Sequence, residues 1–214
     1  MAQSASVQMG ARAQGMGNAS ACLGDVWSIT NNIAGLAKTE GTFAGFSYHA
    51  IPSAPFFNRM AAAFALPVKP GVAGIGVFRF GDDLYSEQVV SVGFANTFGL
   101  ASLGARVNYA QYQANGLGTA NAVTVSFGGI ATLTPELLVG AHIFNINQPI
   151  IDESTEERAP TKLHASIGFV PSKTFIAAAE IEKDLRHPAI IKLGVEYEAF
   201  QKITFRTGFN LHPQ

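Results

Sequence analysis

The chain has 214 residues, of which 48% are hydrophobic and only 14% charged, and its net charge is −1. That balance gives no electrostatic support for a nucleic-acid partner, and a lone cysteine, Cys22, excludes an intrachain disulfide. Soluble domains carry about 25% charged residues; so few charges, with no run of about 18 apolar residues for a transmembrane helix, fit a membrane barrel whose apolar residues alternate.

Met1-Ala2-Gln3-Ser4 has neither the basic head nor the apolar core of a signal peptide. A barrel needs such a signal for export, so the sequence reads as a mature form with a start Met added. Residues 1–40 form an N-terminal segment. A first strand is expected near 15–24, followed by a short lumen or turn insert. From residue 40 onward apolar residues recur with period 2, not 3.6. Strands are expected at 41–51, 56–67, 71–80, 86–98, 100–113, 120–133, 136–147, 161–171, 174–183, 189–199 and 202–211.

Five runs alternate cleanly. Leu103, Ala105, Val107 and Tyr109 oppose Ser102, Gly104, Arg106 and Asn108. Val123, Val125 and Phe127 oppose Thr124, Ser126 and Gly128. Leu163, Ala165, Ile167 and Phe169 oppose Lys162, His164, Ser166 and Gly168. Ile191, Leu193, Val195 and Tyr197 oppose Lys192, Gly194, Glu196 and Glu198. Ile203, Phe205 and Phe209 oppose Thr204, Arg206, Gly208 and Asn210. The run at 71–80 is ambiguous, with Val, Ile and Phe on both faces. A sandwich also alternates, but its strands average about 5–6 residues, whereas a tilted membrane strand needs about 9–11.

Connection lengths sort as well. Tight turns at 67–70, 98–99, 134–135, 171–173 and 200–202 alternate with longer loops at 81–85, 114–119, 148–160 and 184–188. Membrane barrels carry short turns on one rim and longer loops on the other.

The tight turns suggest a register. Centring on Ser172 places His164 opposite Glu180 and Lys162 opposite Glu182. Centring near His187 places Glu182 opposite Lys192, and centring on Gln201 places Glu196 opposite Arg206. These seven residues form an inner-face ladder of opposite charges. It reads either as a selectivity girdle in an open channel or as ion pairs filling a closed lumen, and the balanced charge favours the second.

Other chemistry is thin. His142 and His164 read as lumen fillers, because no third ligand has metal-site spacing. Gly15-Met16-Gly17 with Gly24 lacks the strand–helix context of a dinucleotide site, and no Gly-x-Ser-x-Gly elbow occurs. Asp82-Asp83 and Glu153 with Glu156-Glu157 read as solvated acidic loops. Trp27 is either an interface anchor or a plug residue. No metal or cofactor is expected, and no enzyme activity.

The most specific feature is Gly10-Ala11-Arg12-Ala13-Gln14-Gly15-Met16-Gly17-Asn18-Ala19, followed by Asp25 and by Asn31-Asn32-Ile33-Ala34-Gly35-Leu36-Ala37. It resembles the opening of the outer-membrane family that includes the FadL fatty-acid transporters and the PorV and PorQ components of type IX secretion. There a "G-x-R-A-x-G-M-G-x-A" segment precedes "N-P-A-G-L"; Ile33 stands here in the place of the Pro. Gly10, Arg12, Gly15, Gly17, Asn32 and Gly35 carry the match, and the rest of the chain agrees in barrel pattern alone. The resemblance implies a barrel of about 14 strands with the N-terminal segment at or inside the lumen.

The expectation is thus an all-β fold, one closed antiparallel transmembrane β-barrel of about 12 to 14 strands over residues 1–214. The end at Leu211-His212-Pro213-Gln214 reads as a turn toward further strands or as an early closure. The location implied is the bacterial outer membrane, with the lipid bilayer as one partner. The first functional reading, of the PorV/PorQ type, is a barrel that binds a partner outer-membrane or secreted protein. The alternative is a FadL-like channel for small hydrophobic molecules.

Overall fold

The computed structural model describes residues 7–116, 118–152, 156–185, 187–200 and 202–213. The strands are β1 (Phe43–His49), β2 (Arg59–Val68), β3 (Gly71–Gly81), β4 (Tyr85–Phe98), β5 (Ala101–Ala114), β6 (Gly118–Thr134) and β7 (Leu137–Phe144). They continue with β8 (Ile150–Asp152), β9 (Glu157–Arg158), β10 (Lys162–Ser172), β11 (Phe175–Asp184), β12 (Ile190–Ala199) and β13 (Ile203–Leu211). Eleven of them form one antiparallel sheet in chain order from β1 to β13, while β8 and β9 pair apart, in the connection between β7 and β10. Each run expected after residue 40 becomes one strand of this wall, because period-2 alternation lets each present one apolar and one polar or small face.

The strand expected at 15–24 does not form. The helix α1 (Ala11–Gly15) ends there, and two successive residues, Gly17 and Asn18, both at φ 62°, turn the chain out of any extended path. Residues 7–40 instead lie against the inner face of the wall as a plug, with two 3₁₀ segments at Val26–Ile29 and Ile33–Lys38.

The outer face is apolar. Phe46, Val92, Leu103, Val107, Val123, Ile167 and Phe205 all stand exposed there, as lipid-facing residues must. The ambiguous run now has its faces assigned. Val72, Gly74, Gly76, Phe78 and Phe80 turn inward, while Ile75, Val77 and Arg79 turn outward. Arg79 lies two residues from the end of β3, where a long side chain reaches the interface with its charge in water.

Tight turns and longer connections fall on opposite rims, since consecutive wall strands are antiparallel neighbours. Protease added to intact cells is expected to cut after Arg158, in the longest connection, and to spare Lys173 in the turn between β10 and β11. Cutting at Lys173 alone would place the tight turns outside. Folded protein should also need detergent or lipid, and should migrate faster unboiled than boiled, because a closed sheet leaves no edge for denaturant to enter. Monodisperse folded protein in plain buffer would contradict the membrane-spanning fold.

Candidate functional site: a plugged lumen

The plug is shaped by its own short-range bonds. Asp25 caps the first 3₁₀ segment, accepting from the Trp27 amide at 2.9 Å, while its own amide donates to Ser28 Oγ at 3.1 Å. Burial pushes the Asp25 carboxyl above the usual carboxylate range. Asn32 caps the second segment by accepting from the Ala34 amide at 3.2 Å. Asn31 closes the segment on itself: it accepts from the Met9 amide and donates to the Met9 carbonyl, each at 3.0 Å.

The wall receives the plug with small residues on every strand. Gly45 of β1 faces Trp27, Gly74 of β3 faces Leu36, and Gly93 of β4 faces Ile33. Gly128 of β6 meets Asn32, Gly140 of β7 meets the Ala21 carbonyl, and Gly168 of β10 meets Cys22. Gly194 of β12 and Gly208 of β13 both meet Met16. Ala63 and Ala65 of β2 pack with Ile29, Ile33 and Leu36, and Ala178 of β11 packs with Met16. Gly74 with Gly93, Gly104 with Gly128, and Gly194 with Gly208 are directly opposite on neighbouring strands. A band of missing side chains thus runs round the lumen and the plug fills it.

The residues of the N-terminal motif lie in this contact or within the plug that makes it. Gly10 leaves room for the Trp27 ring, and a β-carbon there would lie 2.6 Å from it. Gly15 packs on Arg206, where a β-carbon would lie 2.9 Å from Cβ of that residue. Gly17, with its left-handed φ, packs on the β13 backbone, where a β-carbon would lie 2.8 Å from the Phe209 amide nitrogen. Gly35 closes the two 3₁₀ segments over Ser28 and Leu23. Asn32 Nδ2 lies 3.2 Å from each of the wall carbonyls of Gly129 and Ala141. Ile33, in the place of a proline, is fully buried against Gly93 and Gly128. Trp27 is a plug residue: its ring lies between Gly10 and Gly45.

Charge holds the plug at two further points. Arg12 reaches Glu196 with both Nε and Nη2, at 3.0 and 2.8 Å, and Arg206 Nε donates to the same carboxylate. Glu180 Oε2 accepts from the plug amides of Ser20 and Ala21 at 2.9 and 2.7 Å. Its other oxygen meets His164 at 2.9 Å and Lys192 at 3.2 Å. Glu182 lies 2.7 Å from Lys192 and 3.5 Å from Lys162. Lys192 also donates to Gln8 of the plug at 3.0 Å.

The expected register needs correction at two hairpins and holds at the third. Glu196 lies opposite Arg206. Between β10 and β11 the turn is Lys173–Thr174 rather than centred on Ser172, and with a one-residue shift beside it the pairing is displaced by two residues, so His164 opposes Glu182 and Lys162 opposes Asp184. Between β11 and β12 Lys192 opposes Glu180, and Glu182 opposes Ile190. A two-residue shift keeps every side chain on its own face. Long side chains then reach across the diagonal, so His164 meets Glu180 and Lys162 meets Glu182 without being directly opposite.

Sequence reasoning gave no role to two buried lumen groups, Arg106 and Glu87, and read His142 as a lumen filler. Arg106 and Glu87 are each 1% exposed, and His142 stacks near His164 with ring centres 5.8 Å apart. Arg106 could have been found as the one charge on the inner face of a cleanly alternating strand. Glu87 was hidden, because its hydrogen bond to Tyr85 at 2.9 Å runs within one strand. Among the described residues, no group of three His, Cys, Asp or Glu side chains is placed to hold a metal ion.

Charge reversal at Glu196 tests the ladder. Glu196→Lys would set a third cation between Arg12 and Arg206 and should cost about 2 kcal/mol or more in unfolding. Glu196→Gln should cost much less, since it keeps volume and a hydrogen bond. Unchanged urea midpoints for both variants in detergent would deny the ladder a role in stability.

A sheet wrapped about an internal N-terminal plug, apolar outside and polar inside, defines a transmembrane β-barrel. Among solved structures the chain is similar to the CymD monoaromatic hydrocarbon channel, at TM-score 0.74 and 13% identity, covering 98% of this chain and 85% of that one. It also matches the KdgM porin at TM-score 0.48 and 11% identity, over 81% of this chain and 98% of that one. No protein-family model matches the chain. No curated protein matches it either.

Proposed function

We infer that this protein is an outer-membrane channel for small hydrophobic molecules. The observation that carries the reading is the likeness to the hydrocarbon channel, which covers 98% of this chain and so takes in the plug as well as the wall. The plug supports it physically. A channel for apolar solutes must stay closed to ions and polar solutes, and residues 7–40 fill the band of small residues all round the wall. The charged ladder belongs to the same reading as a latch: Glu180, Glu196 and Lys192 are spent on holding the plug rather than on lining an open pore.

Partner binding in secretion, the reading drawn first from the N-terminal motif, has less support. Gly10, Arg12, Gly15, Gly17, Asn32 and Gly35 all make their contacts within the plug or with the inner face of the wall, so the motif serves to seat the plug.

Uptake of radiolabelled toluene by cells lacking other hydrocarbon channels tests the proposal. Expression should raise the initial rate several-fold, and a variant that tethers the plug to the wall by an engineered disulfide should abolish the gain until it is reduced. Uptake equal to that of cells without the protein would overturn the channel reading.

A further inference from the structure

Arg106 is the largest of the fully buried side chains. It projects inward from the middle of β5, between Gly93 of β4 and Ser126 of β6. Its Nη1 donates to the carbonyl of Ile29 in the plug. Its Nε and Nη2 have no acceptor among the described residues. The contrast with the other lumen cations is direct: Lys162, Lys192, Arg12 and Arg206 each lie within salt-bridge distance of a glutamate. Arg12 does so with the same edge of the guanidinium, Nε and Nη2 gripping both oxygens of Glu196. A buried cation without a counter-charge is costly, so the free fork on Arg106 is a carboxylate receptor of a kind this lumen already uses once.

Its surroundings narrow the ligand. The guanidinium lies 5.2 Å from the centre of the Phe144 ring. His142 lies beside that ring, at 6.2 Å between centres, and its buried Nε2 is also without a partner among the described residues. Asn145 Oδ1 is a third such atom, one residue beyond Phe144. Lys162 and Lys192 are matched in number by Glu180 and Glu182, so the neighbouring network is balanced and Arg106 contributes one surplus positive charge. One negative charge satisfies it, and the flat faces of Phe144 and His142 suit a ring.

We propose that Arg106, His142 and Phe144 form a binding site for a small aromatic monocarboxylate. The carboxylate takes the Nε–Nη2 edge of Arg106 in bidentate fashion, and the ring lies along Phe144 and His142. The site rests on the channel reading and narrows its substrate class from neutral hydrocarbons to apolar acids. Arg106 also holds the plug at Ile29, so ligand binding and plug seating share one side chain.

Isothermal titration of the full chain in detergent micelles tests this with benzoate, toluene and inorganic phosphate. Benzoate should bind at least about tenfold tighter than toluene, and phosphate should give no saturable heat. Gly129→Val, on the outward face of β6, should keep benzoate affinity within about twofold, whereas Arg106→Gln should lose at least about tenfold in that affinity. Should that variant fail to fold, Arg106→Lys serves in its place: it keeps the charge but not the fork, and the same loss is expected. Benzoate bound equally by wild type and variant, or no better than toluene, would overturn the carboxylate site and leave the channel reading standing. Phosphate bound as well as benzoate would overturn the aromatic acid in favour of a simple anion site. Binding of neither benzoate nor toluene would overturn the site and the channel reading together.

Discussion

Replacing Glu180 by alanine is expected to destabilise the folded barrel by about 3–5 kcal/mol, the cost of removing one partner from a buried charged network. The carboxylate is 1% exposed and serves four donors: the Ser20 and Ala21 amides, His164 and Lys192. Alanine leaves the two plug amides without their acceptor, takes the nearer carboxylate from His164, and removes one of the two carboxylates that meet Lys192. Glu180→Gln keeps one acceptor oxygen, so it should fall between wild type and alanine. Urea midpoints in micelles give the ranking. Trp27, the single tryptophan, adds a local readout, since its emission should shift to the red as the plug leaves the wall. An alanine variant within about 1 kcal/mol of wild type would mean that Glu180 does not hold the plug; typical point changes already reach that size.

Gly140→Val should act by collision rather than by lost charge. A β-carbon at Gly140 would run into the backbone carbonyl of Ala21 and lie 2.6 Å from Ser166 Oγ. Backbone cannot swing aside as a flexible side chain can, so the wall or the plug must shift. The expected cost is about 3 kcal/mol, at the upper end for overpacking, with the plug displaced and its residues opened to protease. Gly129→Val is the matched control. Gly129 sits on the outward face of β6, where a β-carbon would meet Leu103 at 3.4 Å, an ordinary contact. Valine there adds apolar surface toward lipid and should be neutral or mildly stabilising. Equal behaviour of the two variants would show that the inward glycines do not seat the plug.

Much of the wall was legible because a barrel strand obeys a local rule. A residue such as Val107 faces lipid, and its neighbours Arg106 and Asn108 face the lumen, wherever the rest of the chain lies. Turn length sorted the two rims for a similarly local reason. The same rule failed at 71–80, where Phe78 and Phe80 are apolar yet point inward. They pack there with Met9 of the plug, a contact visible only when distant segments meet.

The candidate site was half legible. Glu196 and Arg206 oppose one another across a tight turn, so counting from its centre was enough. The partners of His164 and Lys192 were displaced by two residues, because the turns after β10 and β11 centre elsewhere than counting along the sequence places them. Arg12, which shares Glu196, lies 184 positions away and no count reaches it.

The sequence by itself determined the strands after residue 40, the faces of the five cleanly alternating runs and the glycines on their inner faces, because alternation needs only neighbouring residues and the backbone pleat. Tertiary structure alone decided what the glycines are for. Residues 15–24, read as a strand, turn at Gly17 and Asn18 and lie against β7, β10, β12 and β13. The physical reason is that a missing side chain is only a gap until another segment fills it. Which segment fills it depends on contacts between residues far apart in the chain, such as Met16 against Gly194 and Gly208. The unpaired fork of Arg106 belongs to the same class: the groups beside it, Ile29 and Phe144, come from the plug and from β7, far from it in the chain.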